Sequence, residues 1–486
     1  MTTSSGISFP STGVDERSTT ATGRAVVAEA LRGVDPVGAL AVEHETAWRS
    51  RYVAHFRRLV EAGLPSPEAW TTIASSGLDA VWDRFCVVTP DGPDAPLTSL
   101  LEAPPQRALQ TWDVFGEREP EGGFSLPYHG RRLTGTALEE RLTEWTTRGV
   151  LEPSAAEAVR EVVAHPEWLS LPGHTVAVLG AGAEMGPLTA LLRWGATVAA
   201  VDLPHPDIWE RVLEIAREGA GRLLVPVSAG SEPVTGRAGA DLVAEVPEVA
   251  DWLGGLTGRL VLGNYLYADG GTHALVSVAA DVLGQRLRRD RPDTALAFLA
   301  TPTDVFAVPA EAVEQANATY AGRSGRTKLV ARPLRWASRG RLLHRAYPPG
   351  ADPGIADSLV PVQGPNYALA KRIQRWRAAV ARDEGATVSL HVAPATRTRS
   401  VVKNRALAAA YAGAHRFGVE VFEPGTANVL MAALLVHDLM AGRPEHAHPW
   451  QDEAWAAVHG GLWRAPYEPR SALGLAAVLG YAATRS

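Results

Sequence analysis

The chain has 486 residues, 46% of them hydrophobic and 21% charged, with a formal net charge of −6 and a single cysteine, Cys86. That length suggests about two to four domains, and the charge balance offers no basic track for a phosphate backbone, so no nucleic-acid partner is expected. One cysteine excludes an intrachain disulfide and a cysteine-based metal cluster, and no window reaches the roughly 18 apolar residues of a membrane span, so a cytoplasmic chain without membrane contact is expected.

Residues 1–25 are rich in Ser, Thr and Gly, lack the apolar stretch of a secretory signal, and are expected to form a disordered tail. Residues 26–172 show apolar side chains at three- and four-residue spacing, which predicts a mainly helical N-terminal domain. Two of its helices are expected to start at capping boxes, Thr136 with Glu139 and Ser154 with Glu157. Between its helical stretches, residues 104–135 are rich in Gly, Pro and aromatics and read as a small hairpin or a long loop. From residue 173 to residue 441 the pattern becomes strand, turn, helix. Apolar runs at 175–179, 197–201, 223–227, 260–262, 295–299 and 387–392 alternate with helical segments, which predicts an α/β, doubly wound parallel sheet of Rossmann type. Residues 304–362 interrupt the alternation as an insertion, and residues 442–486 form a C-terminal extension to which the sequence assigns no role.

The first motif is Gly180-Ala-Gly182-Ala-Glu-Met-Gly186, set between a predicted strand and helix, with Asp202 ending the next strand. Glycines permit the tight turn and close backbone approach, and a helix start offers free amides to a pyrophosphate. Asp202 suits the adenosine ribose hydroxyls. Its charge, with that of Glu184, repels a 2′-phosphate, so NAD is expected as cofactor in preference to NADP.

The second motif is Tyr367-Ala-Leu-Ala-Lys371 at the start of a helical stretch, in a chain with only three lysines (Lys328, Lys371 and Lys403). The spacing puts phenol and ammonium on one helix face, where the ammonium is expected to lower the phenol pKa and prepare a proton donor. His446, His448 and His459 lack metal-ligand spacing, and no metal is expected.

With these residues in hand, the segments between 175 and 441 resemble the short-chain dehydrogenase/reductase family. Ala181-Gly182-Ala-Glu-Met-Gly186-Pro-Leu188 is similar to the family's glycine loop, with leucine at the last glycine. Asp241-Leu242 resembles the element that contacts adenine, and Gly263-Asn264-Tyr-Leu resembles the asparagine element after the fourth strand. Thr301 or Thr303 stands where the family has its catalytic serine, and Tyr367 and Lys371 match its Tyr-x-x-x-Lys. Thr398 lies where a threonine touches the nicotinamide carboxamide. More than sixty residues separate the fifth strand from Tyr367, a far longer gap than the family's.

The resemblance implies an NAD(P)-dependent oxidoreductase that interconverts a small-molecule carbonyl and an alcohol. Tyr367, Lys371, Thr301 or Thr303 and Asn264 would be catalytic. Gly180, Gly182, Gly186, Asp202, Asp241, Lys371 and Thr398 would hold the cofactor. Two alternatives stay open, a dinucleotide-binding protein that has lost the chemistry and an S-adenosylmethionine-dependent methyltransferase. The sequence leaves the oligomeric state open, a homo-oligomer included.

Overall fold

Alternate side chains of a strand point to opposite faces, so a strand that is apolar throughout needs cover on both. The computed structural model describes residues 6–11, 17–89, 92–323, 336, 338 and 341–483. Lys328 and the middle of the expected insertion lie outside the described residues. Seven strands form the main sheet: β1 (Gln110–Phe115), β2 (His174–Leu179), β3 (Thr197–Val201), β4 (Arg222–Val227), β5 (Arg259–Asn264), β6 (Ala295–Ala300) and β7 (Val388–Val392), in the order β7-β6-β5-β2-β3-β4-β1. The last six in sequence are parallel to their neighbours, and β1 closes one edge antiparallel to β4. Numbered along the chain, the parallel strands lie in the order 3-2-1-4-5-6, compatible with a Rossmann-like fold.

The helices that position the site are α1 (Leu188–Arg193), α2 (Pro206–Arg217), α3 (Val246–Gly254), α4 (Gly271–Asp290), α5 (Pro365–Asp383), α6 (Arg405–Gly413), α7 (Pro424–Met440) and α8 (Pro469–Ala483). Ala177 and Leu179 of β2 enter one core with α3, α4 and α5. Four helices of the N-terminal region, Thr19–Arg32, Pro36–Glu43, Trp48–Gly63 and Pro67–Arg84, complete that core. Val176 and Val178 enter a second core with α1, α2 and α7.

Several sequence expectations change. Within the stretch expected as a tail, Gly6–Ser8 forms a strand antiparallel to Cys86–Val88, because Ile7 and Phe9 are buried and the Ile7 amide donates to the Val243 carbonyl at 2.9 Å. The helix Thr19–Arg32 begins in the same stretch, capped by Ser18, while residues 1–5 and 12–16 lie outside the described residues. Neither capping box forms. The helices start earlier, at Gly135 and Pro153, with no side-chain cap, and the Ser154 hydroxyl accepts the Ala456 amide at 2.9 Å instead.

Residues 104–135 supply both β1 and the hairpin Leu126–Tyr128 with Arg131–Leu133. In the expected insertion, Val305–Val308 pairs antiparallel with Gly354–Asp357 outside the main sheet. The C-terminal segment is built into the molecule. The Val458 amide donates to the Val392 carbonyl at the end of β7 at 2.9 Å, and buried His459 meets Glu152 at 2.9 Å. Among the described residues no helix is long and apolar enough to cross a membrane.

Candidate functional site

Parallel pairing in register brings the carboxyl ends of the strands to one edge. Leu179 pairs with Val201 on one side and Asn264 on the other, Asn264 also pairs with Phe298, and Ala300 pairs with Val392. Gly180, Asp202, Asn264 and Thr301 therefore emerge along a single edge.

At the β2 end, Gly180 adopts φ +83°, a left-handed conformation that favours glycine. A Cβ there would stand 3.1 Å from the Tyr265 carbonyl oxygen, and one on Gly182 would meet Ile208 at 2.7 Å. The Gly182 amide donates to Asp202 Oδ2 at 2.7 Å and the Leu203 amide to Oδ1 at 2.8 Å. Burial raises the Asp202 pKa, and these two amides oppose it. Asp241 follows from the next loop, where the Ala240 amide donates to the Asp202 carbonyl at 3.0 Å. Its own carboxylate accepts the Val243 amide at 3.0 Å, so it is engaged in a local turn.

The loop is also fastened at its far side. The Gly186 amide donates to Asn428 Oδ1 at 3.1 Å, and Asn428 Nδ2 donates to the Glu184 carbonyl at 2.8 Å. The Arg399 amide, next to Thr398, donates to Glu184 Oε2 at 2.7 Å. Two expectations are corrected. The Gly186 amide is already paired, because a short α1 of six residues leaves the loop to be held from α7. Glu184 is turned to the segment after β7, where it accepts the Arg399 amide, and Asp202 is the acid that stands at the β2 end.

The second group gathers where β6 ends and α5 begins. The Thr301 and Thr303 hydroxyls are 2.9 Å apart, and Gln363 Nε2 donates to Thr303 at 2.8 Å. Gly364 at φ +84° turns the chain into α5, which Pro365 opens. Tyr367 lies in the first turn. Lys371, one turn on, donates to the Leu299 carbonyl and to Gln374 Oε1, both at 3.2 Å, and Gln374 Nε2 donates to Asn264 Oδ1 at 3.3 Å. The structure thus brings Thr301, Thr303 and Tyr367 together, and places Lys371 one helical turn from Tyr367, with Gln374 as the bridge between Lys371 and Asn264.

Burial dominates the electrostatics here. It raises the Tyr367 phenol pKa, and the Thr301 side chain pulls the other way. The expected lowering by Lys371 is therefore overturned, because desolvation disfavours the phenolate more than its surroundings favour it. Burial lowers Lys371 to about 8, opposed by Asp304. His273, its ring 5.1 Å from that of Tyr367, is held neutral, its pKa lowered to about 3 by burial and by the Lys371 charge.

Behind the group lies a buried ion network. Arg372 reaches Asp304 at 3.2 Å, Arg375 reaches Asp304 at 2.8 Å, and Arg375 Nε donates to Glu453 at 2.9 Å. Burial works against the Asp304 carboxylate, yet the two arginines hold its pKa below the ordinary range. The network ties α5 to the turn that carries Thr301 and Thr303. Sequence reasoning missed Gln363, Gln374, His273 and Asp304. Arg372 and Arg375, charged residues three apart amid the buried stretch of α5, were the available signal, since buried arginines require acidic partners.

No protein-family model matches the chain, and no curated protein is similar to it at a significant level. Among solved structures, the chain is similar to a structure of an A1-type ketoreductase, at 14% sequence identity and a TM-score of 0.31. The overlap covers 58% of this chain and 53% of that one, so the chain spans about half the length of the structure it matches.

Proposed function

We propose that the chain is an NAD(H)-dependent oxidoreductase of short-chain dehydrogenase/reductase type, built on a doubly wound Rossmann-type domain, that interconverts a carbonyl and an alcohol. The carrying observation is the convergence of Thr301, Tyr367, Lys371 and, through Gln374, Asn264 at the carboxyl ends of β5 and β6. The residues at β2 fit a dinucleotide at its adenosine end. A Cβ on Gly180 would crowd the Tyr265 carbonyl, and the Asp202 carboxylate, with one amide on each oxygen, retains lone pairs for ribose hydroxyls. Gly180, Gly182 and Asp202 would hold that end, with Asp241, Thr398 and Lys371 completing the cradle.

A reduced nicotinamide held there would supply the hydride for the carbonyl carbon. Tyr367 donates a proton to the carbonyl oxygen, and its raised pKa keeps it in the protonated form that reduction requires. Thr301, or Thr303 beside it, donates a hydrogen bond to the same oxygen. Lys371 is charged below about pH 8 and places positive charge near the oxygen as negative charge develops on it. Gln374 and the Leu299 carbonyl fix its position.

A non-catalytic dinucleotide binder is the second reading, favoured by threonines, Thr301 and Thr303, standing where the resembled family has its catalytic serine, and by the burial that raises the Tyr367 pKa. Titration of the full chain with NADH, NADPH and S-adenosylmethionine, followed by fluorescence and calorimetry, tests the shared premise. NADH binding supports it. Binding of S-adenosylmethionine alone, or of none of the three, overturns it.

A further inference from the structure

Beside Thr303 lies a cavity of about 140 Å³, walled by loop residues including Val360 and by the C-terminal elements α6 and α8. Leu407, Tyr411, Phe417 and Leu473 are among its apolar lining, and no charged side chain lines it. The volume is close to the roughly 150 Å³ that holds a benzene ring when the walls are apolar. Its roof is closely packed. A methyl group on Gly413 would run into the Ala476 carbonyl, and one on Gly480 into the Ala409 carbonyl. α6 and α8 therefore approach as closely as their backbones allow.

One end of the cavity is polar. Thr303, Ser358 and Gln363 line it, and Ser358, 1% exposed, has a hydroxyl with no hydrogen-bond partner among the described residues. A buried hydroxyl without a partner is costly, and Ser358 belongs to the cavity wall. From the same end, Gln363 donates to Thr303, Thr303 meets Thr301, and Thr301 faces the Tyr367 phenol. Hydrogen-bonded side chains thus join the polar part of the cavity wall to the proposed chemistry.

We infer that this cavity binds the substrate's tail, and that the substrate is an uncharged, apolar ketone or aldehyde, aliphatic or aromatic, with its single oxygen at the Ser358–Thr303 end. The inference rests on the oxidoreductase reading for the word substrate, but the cavity's preference for an uncharged apolar carbonyl compound is independent of it. A carboxylate or phosphate in the cavity would lose its hydration with no opposite charge to meet it.

The test is calorimetric titration of the full chain, without cofactor, with 2-butanone through 2-octanone and with octanoate. Affinity for the ketones should rise about three- to fourfold per added methylene until the cavity is full. Octanoate should bind more weakly than 2-octanone. Leu407→Trp, which fills the cavity, should abolish the chain-length gain, and Ser358→Ala should weaken every ketone about fivefold while keeping the gain. A flat series in the unmodified protein, or tighter binding of octanoate, overturns the inference without recourse to any variant. Assays of the same ketones with NADH separate the two claims. Length-dependent binding with no NADH oxidation counts against the oxidoreductase reading and leaves the cavity assigned, whereas turnover with no length dependence does the reverse.

Discussion

Arg375 and Asp304 form a buried ion pair at 2.8 Å, 1% and 2% exposed, between the helix that carries Tyr367 and the turn that carries Thr303. Removing one partner strands the other's charge away from water. Arg375→Met should therefore lower stability by about 3–5 kcal/mol, because it leaves both Asp304 and Glu453 short of a cation. Urea denaturation measures this, and a loss under about 1 kcal/mol would mean that water or Arg372 replaces the guanidinium.

The expected boundary between residues 172 and 173 can be tested with a fragment that begins at residue 172. The structure argues that it will not fold. The fragment loses β1, whose six residues pair with β4, and the N-terminal helices that share a core with Ile373 and Trp376 of α5. Circular dichroism and sedimentation of the fragment should show aggregation or loss of cooperative unfolding. A soluble fragment with a cooperative transition would contradict the account.

Lys371 supplies a pH signature. Its pKa is lowered from 10.5 to about 8 in the folded chain, so between those values the unfolded chain binds more protons. Stability contributed by this group therefore rises with pH across roughly 8 to 10.5, the cost of the buried ammonium being fully present below 8 and absent above 10.5. Thermal unfolding of Lys371→Met against the unmodified protein should show the rise flattened in that window, and parallel curves would refute the lowered pKa.

Asp202 both accepts the Gly182 amide and carries the charge expected to select NADH. Asp202→Asn keeps an acceptor for the loop and removes the charge. The preference for NADH over NADPH should narrow by about tenfold, since charges about 4 Å apart near a surface interact by roughly 1–4 kcal/mol. Unchanged selectivity in equilibrium titrations would shift the discrimination to another group.

The six parallel strands were legible because each is a short apolar run closed by a turn residue, and their observed bounds differ from the expected ones by no more than two residues. β1 was not, because five of its six side chains are exposed or nearly so and only Val114 is buried. Its identity is set by pairing with β4, a non-local cause. Gly6–Ser8 is three residues long, too short for any periodicity. At the candidate site, Tyr367 and Lys371 announced themselves by spacing on one helix. Gln363 and Ser358 reach Thr303 and the cavity from the far end of a long intervening segment, and nothing local marks such a meeting. The direction of the Tyr367 shift was misjudged for the same reason, since a sequence shows a neighbouring charge but not the depth of burial.

Tyr367→Phe tests the central claim most directly, since it removes one hydroxyl at nearly constant volume. With a ketone that the unmodified protein reduces, NADH affinity should stay within about twofold while turnover falls by at least the roughly 10² typical of general acid catalysis. Full turnover in Tyr367→Phe would contradict the proposed chemistry, even if NADH binding and the fold stood unchanged.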